Sequence, residues 1–109
     1  MISLKSIDIG KLELGAVLLV DTEDEQLKMV VEYNKGPIDG RCLYISSLDK
    51  NEMEEDRGTF MVSKIVVGKP IDGILYPRRR ADGIVELAGV LKTTPVRAIE
   101  VYQDKEIDK

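Results

Sequence analysis

Three consecutive arginines, Arg78, Arg79 and Arg80, form the only concentration of positive charge in this acidic chain. A guanidinium donates a planar pair of N–H groups that matches a phosphate or a carboxylate, and it also stacks on nucleic-acid bases. Tyr76 lies close before the arginines and would add a stacking surface of the kind that single-strand binding proteins use. The pattern therefore indicates a site for an anionic partner, either a nucleic-acid phosphate or an acidic protein surface.

A simpler interpretation of the same residues is a solvated turn. Arg80 would then pair with Asp82, and the other arginines would keep an exposed loop soluble. Apolar runs lie on both sides of the arginines, and Asp82-Gly83 is a dipeptide that tolerates the positive φ of a tight turn. In either interpretation, the segment 73–91 is expected to form a β-hairpin with the arginines at its tip.

The composition excludes most familiar catalytic sites. The chain has no histidine and one cysteine, so it has neither a histidine-activated nucleophile nor the imidazole or paired thiolate ligands of zinc. Cys42 is expected to fill a buried position, because a cysteine within an apolar strand behaves as a small hydrophobic residue. Asp72 and Asp82 would act as an acid–base pair only if buried together, and aspartate before glycine is ordinarily a turn residue. We therefore expect no enzyme activity, no catalytic residues and no cofactor.

Two further stretches match ligand-binding loops only in part. An EF-hand alignment that begins at Asp21 brings Glu32 to the last ligand position, but it lacks the glycine that the sharp turn of that loop requires. The pair Gly68-Lys69 occurs in phosphate-binding loops, but here Pro70 replaces the hydroxyl residue and opposes the helix that should follow. Neither stretch is expected to bind a metal ion or a phosphate.

An alternation of apolar and polar residues runs through most of the chain and predicts β-strands. The clearest examples are 12–20 and 27–34, which an acidic turn separates. The segment 59–67 is apolar on both faces, so it is expected to be one central strand.

No stretch has the length and periodicity of a long helix. At most one short helical turn is expected, near 49–56, where Asp49 and Glu52 have the spacing of a capping pair. Roughly six to eight short strands without intervening helices predict an all-β chain. The expected architecture is a small antiparallel β-barrel, SH3-like or OB-like, or a sandwich, and periodicity alone leaves the strand order and that choice open.

Length and hydropathy set the remaining expectations. The 109 residues fit one domain, with 1–103 as the folded unit and 104–109 as a charged, frayed tail. No stretch approaches the ~20 apolar residues of a membrane-spanning helix. The beginning of the chain lacks the pattern of a secretory signal, and a single cysteine requires no oxidising compartment. A cytoplasmic location without a membrane partner is expected.

These observations predict a non-enzymatic binding module that presents Arg78–Arg80, with Tyr76 beside them, to an anionic macromolecule. The net charge of -4 argues against a general nucleic-acid coat protein, although a local basic patch still binds phosphate. The alternative is a structural protein that acts through homo-oligomerisation and has no ligand site. In that case the basic tip of one copy would meet an acidic tip of another.

Overall fold

A computed structural model describes the backbone of residues 2–34, 40–48, 53–75, 78–79, 81–83, 85–86 and 90–102. Within these ranges the chain is almost entirely β-strand, which confirms the all-β prediction. The strands, in chain order, are β1 (Ile2–Leu4), β2 (Ser6–Asp8), β3 (Val17–Thr22), β4 (Gln26–Asn34), β5 (Gly40–Leu48), β6 (Glu54–Met61), β7 (Lys64–Val66), β8 (Asp72–Leu75), β9 (Arg78–Arg79), β10 (Val85–Glu86), β11 (Val90–Lys92) and β12 (Val96–Tyr102).

The helical turn lies elsewhere than the sequence indicates. The one helical turn in the described ranges is a 3-10 turn at Ile9–Lys11, capped by Asp8, whose Oδ1 accepts a backbone hydrogen bond at 3.0 Å. In the expected region 49–56, residues 54–56 belong to β6, and 49–52 lie outside the described residues. Pairing with β5 holds residues 54–56 in a strand because it satisfies the backbone of both strands, and the capping pattern of Asp49 and Glu52 stays a prediction. No helix within the described ranges is long and apolar enough to cross a membrane.

Eight of the strands form one antiparallel sheet in the order β1-β12-β3-β4-β5-β6-β8-β11. The strands β3 and β4 form a hairpin around the acidic turn, as their alternation predicts. In the part of the chain that the structure describes, β1 and β11 are the two edges of this sheet and do not pair with each other. The architecture is therefore sandwich-like, which is one of the two expected architectures, and not a closed barrel.

A second, two-stranded ladder folds the large sheet over its own core. The strand β2 follows β1 after one residue, β7 follows β6 after two, and β2 pairs with β7 in antiparallel register. The segment 59–67, expected as one strand, is therefore interrupted at 62–63, where the chain passes from the large sheet to this ladder. A parallel bridge between Val67 and Val96 ties the same region to β12.

The hydrophobic core lies on one face of the large sheet and against the short ladder. In β3 every second residue is buried, and the residues between them are only half-buried, as the period of two requires. Each fully buried aliphatic side chain contributes about 1.5–3 kcal/mol to folding. The largest side chains buried in this core are Ile9, Leu18, Leu27, Met29, Leu43, Ile45, Ile65, Ile71 and Ile99.

Leu18 and Leu14 provide a matched test of this core. Leu18 is fully buried, whereas the Leu14 side chain is half exposed. Leu18→Ala should lower the free energy of unfolding by about 2–5 kcal/mol, because it removes buried apolar surface and leaves a cavity. Leu14→Ala should lower it by less than about 1 kcal/mol. Chemical denaturation measures both values, and equal losses would contradict this placement of the core.

Candidate functional site

The arginines belong to a long β-hairpin, residues 72–92, which we call the arginine hairpin. Its base ladder pairs β8 with β11, and its distal ladder pairs β9 with β10. Ile74 faces Val90 in the base, and Arg78 faces Glu86 in the distal ladder. Three residues lie between Ile74 and Arg78 on one strand arm of the hairpin, and three lie between Glu86 and Val90 on the other. The two ladders therefore share one register. The hairpin expected from the sequence is therefore present, and residues 81–83 are the described part of its tip.

The structure describes the backbone of two of the four predicted site residues. Arg78–Arg79 form β9, so they lie in the ladder immediately before the tip and not in the turn itself. Tyr76 and Arg80 lie outside the described residues. The described tip residues 81–83 are exposed. Gly83 has a φ of 85°, the left-handed conformation that glycine adopts without steric cost.

The base of the arginine hairpin is anchored on the core, and its distal part is a separate ribbon. The strand β8 joins the large sheet through β6, whereas β9 and β10 pair only with each other within the described residues. A Cβ added at Gly73 would lie 2.9 Å from Cγ2 of Val62, which is closer than real Cβ atoms approach other atoms. The backbone of β8 therefore packs directly against the core, and this contact anchors the base of the hairpin.

Charge is distributed unevenly between the arginine hairpin and the rest of the chain. The hairpin has four basic and three acidic residues, whereas the remainder has twelve basic and seventeen acidic residues. Residues of opposite charge occupy facing positions in both ladders, Asp72 with Lys92 and Arg78 with Glu86, and such pairs stabilise hairpins modestly. The proposed pair of Arg80 with Asp82 stays a prediction, because Arg80 lies outside the described residues.

An exposed apolar pair lies at the base of the arginine hairpin. Ile74 and Val90 face each other across β8 and β11, and they are 54% and 72% exposed. The sequence alone does not reveal this pair, because β8 and β11 alternate like every other strand. The edge strand β11 has only three residues and ends with the exposed Lys92, two features that protect edges against pairing with another chain. The apolar pair is therefore exposed, whereas the strand edge beside it is short and ends in a charge.

The acidic turn between β3 and β4 is bound to the rest of the fold. Its Asp24 accepts a hydrogen bond from the Thr94 hydroxyl at 2.9 Å. Its Glu25 accepts one from Ser47 at 2.8 Å and one from Arg57 at 2.9 Å. These carboxylates therefore already have partners in their own chain. Among the described residues, no three potential metal ligands converge, here or elsewhere.

The outer face of the large sheet is a second surface of interest. Directly opposite residues of antiparallel strands share a face of the sheet. The register therefore places one residue from each of five neighbouring strands in a row whose members are half-buried or, in the case of Thr59, buried. This row runs Tyr102, Val17, Val30, Tyr44 and Thr59.

Three carboxylates surround Tyr44, and we call the surface bounded by Glu32, Glu54 and Asp56 around Tyr44 the acidic face. The Tyr44 hydroxyl donates a hydrogen bond to Oδ1 of Asp56. This bond raises the pKa of Tyr44 above its ordinary value of 10.0, and burial and the negative charges of the three carboxylates raise it further. The acidic face is thus a region of negative potential around an aromatic ring.

A cleft opens beside the acidic face. It has a volume of about 430 Å³ and is lined by Leu19, Gln26, Lys28, Leu48 and Glu54. Lys28 forms an ion pair with Glu54 at 3.3 Å across its mouth. The sequence does not predict the cleft or the acidic face, because their residues come from the four strands β3 to β6 and meet only through the register of the three ladders between them.

The Tyr44 hydroxyl gives a direct measure of the electrostatics of the acidic face. Asp56→Asn should lower the pKa of Tyr44 toward its ordinary value, because the substitution removes the charge that disfavours the phenolate. Carbon NMR of the tyrosine rings, assigned with Tyr44→Phe, measures the titration. Glu100→Gln is the control, since Glu100 raises the pKa of Tyr102 and not that of Tyr44. An unchanged pKa of Tyr44 in Asp56→Asn would contradict the hydrogen bond.

The same group links stability to pH. Because the folded chain holds the Tyr44 proton more tightly than the unfolded chain, its contribution to stability is present below the unfolded-state pKa of about 10. That contribution is lost as the pH rises through the folded-state pKa. As the pH rises above about 10, the free energy of unfolding should therefore fall more for wild type than for Tyr44→Phe. Chemical denaturation measures both values, and equal losses would contradict the raised pKa of Tyr44.

Cys42 lies near the acidic face and is inaccessible. Its side chain is fully buried, as the sequence predicts, and its thiol lies 3.6 Å from the Glu32 carbonyl oxygen.

Comparisons of the chain with protein-family models, with curated proteins and with solved structures found no match. Its function is therefore inferred from strand pairing, burial and charge alone.

Proposed function

We propose that this chain is a non-enzymatic binding module, and that its arginine hairpin presents Arg78–Arg80 to an anionic macromolecule. The observation that supports the proposal is the shared register of the two hairpin ladders. Because of that register, Arg78–Arg79 directly precede an exposed tip, on a ribbon that is anchored at its base and pairs with no other described strand. An exposed, directed ribbon is a suitable carrier for groups that contact a partner.

The chemistry of the arginines determines the class of partner. Guanidinium groups bind phosphates and carboxylates through paired, charge-assisted hydrogen bonds. The excess of acidic residues in the remainder of the chain repels an anionic partner from every other surface and directs it to the hairpin. Tyr76 is assigned to the same site as a stacking residue, on the strength of its sequence position alone.

A binding role is also favoured by the residues that are accessible. The chain has no histidine, and its one thiol is buried, so neither an imidazole nor a thiol is accessible for catalysis. A buried free thiol is compatible with a reducing compartment, and a cytoplasmic location accordingly stays our prediction.

Assembly of identical chains without a ligand site is the second candidate function. The structure offers it no support through strand pairing, because β11 is short and carries Lys92 at its end. It offers no support through the acidic turn either, because Asp24 and Glu25 are bound within their own chain. Neither the edge strand β11 nor the acidic turn is therefore a suitable surface for assembly, which requires a different surface.

Replacing all three arginines with alanine tests the proposed function. Fluorescence anisotropy with a labelled single-stranded oligonucleotide and with a labelled polyglutamate peptide should detect binding by the wild-type chain. Three phosphate contacts predict that affinity for the oligonucleotide falls about 20-fold between ~50 and ~200 mM salt. Arg78→Ala, Arg79→Ala and Arg80→Ala together should weaken binding of the recognised probe at least tenfold and flatten this salt dependence.

A charge-matched variant separates a local site from a general effect of net charge. Lys64→Ala, Lys69→Ala and Arg97→Ala remove three exposed positive charges outside the hairpin, so both triple variants change the net charge equally. The control should bind within about threefold of wild type, because long-range screening leaves distant charges little influence. If neither probe binds, or if both triple variants weaken binding alike, the arginine hairpin is not an anion-binding site.

A further inference from the structure

We infer that the anionic partner of the arginine hairpin is the acidic face of a second copy of this chain, an inference that rests on the proposed function. The hairpin and the acidic face are different surfaces of one molecule. The contact is therefore heterologous, with the hairpin of each copy bound to the acidic face of the next.

The acidic face contains two hydroxyls that form no hydrogen bond with another described residue. The hydroxyls of Ser46 and Thr59 are on this face, in the positions opposite Asp56 and Tyr44, and both residues are more than nine-tenths buried. Neither hydroxyl forms a hydrogen bond with another described residue. A buried hydroxyl without a partner is costly, and both hydroxyls can accept a hydrogen bond from the N–H groups of an arginine.

The charges of the two surfaces are complementary. Glu32, Glu54 and Asp56 all act on Tyr44 electrostatically, and Lys28 balances only Glu54. The ring of Tyr44 also offers an electron-rich surface on which a guanidinium stacks. The acidic turn between β3 and β4 is a less suitable partner for the arginines. Its carboxylates already accept hydrogen bonds from Thr94, Ser47 and Arg57 of the same chain.

The apolar parts of the two surfaces also correspond. Ile74 and Val90 are exposed at the base of the arginine hairpin. Val17 and Val30 are half-buried in the row that contains Tyr44. A contact that buries an apolar centre inside a rim of charged pairs has the usual arrangement of a protein interface.

A heterologous contact has a distinctive consequence for assembly. Each copy retains one unoccupied hairpin or one unoccupied acidic face after it binds its neighbour, so the assembly grows into a ring or an open chain. Wild-type chain in low salt should therefore increase in average mass above 12.2 kDa as its concentration rises. It should return to the monomer mass in high salt, which screens exposed charge pairs.

Two variants that each lack one surface test the inference by sedimentation. The first combines Arg78→Ala, Arg79→Ala and Arg80→Ala, and the second combines Glu32→Gln and Asp56→Asn. Each variant alone should self-associate at least tenfold more weakly than wild type. Mixed together, they should form a complex of two chains that grows no further, because the intact acidic face of one binds the intact hairpin of the other.

Two controls make the outcome specific. Glu23→Gln with Glu55→Gln changes the net charge equally outside the acidic face, and it should assemble like wild type. A monomer at all concentrations, no complex in the mixture, or equal weakening by this control would each overturn the inference. The Glu32→Gln, Asp56→Asn variant also separates this inference from the proposed function. If it binds polyglutamate or the oligonucleotide, its arginine hairpin binds anions even where self-association fails.

Discussion

The contact on which the rest of the structure depends is the ladder between β2 and β7. A single antiparallel sheet has two faces, and it must cover one of them to form a core. In the described part of the chain, no helix or second large sheet does so. Because β2 continues an edge strand and β7 continues an interior strand, their pairing bends the large sheet over its own inner face. Ile7 and Ile65 from this ladder complete the core.

Two surfaces lie outside this core. The outer face of the five central strands carries the acidic face, and within the described residues the arginine hairpin extends from β8 with only its base bound to the sheet. The close contact of Gly73 with Val62 anchors the base of the hairpin on the core.

The sequence predicts those features that depend on neighbouring residues. Alternation identifies β3 and β4, the turn dipeptide Asp82-Gly83 identifies the arginine hairpin, and the apolar context of Cys42 identifies its burial. The break at 62–63 is not predictable in this way, because the end of β6 and the whole of β7 lie in the apolar segment 59–67 and part only where β7 finds a different neighbour. The acidic face is not predictable either, since a shift of one residue in any ladder would turn its members to the opposite face.

Magnitudes indicate which residues of the arginine hairpin must supply affinity for a protein partner. An exposed ion pair contributes at most about 1 kcal/mol, so three arginines together contribute less than the ~4 kcal/mol of a millimolar complex. Burying one aliphatic side chain contributes about 1.5–3 kcal/mol, and Ile74 with Val90 offers two. Under the proposed function, affinity for a protein surface therefore requires the apolar pair at the base as well as the arginines. The arginines would select an anionic partner and orient it, because a misplaced guanidinium would lose its hydrogen bonds.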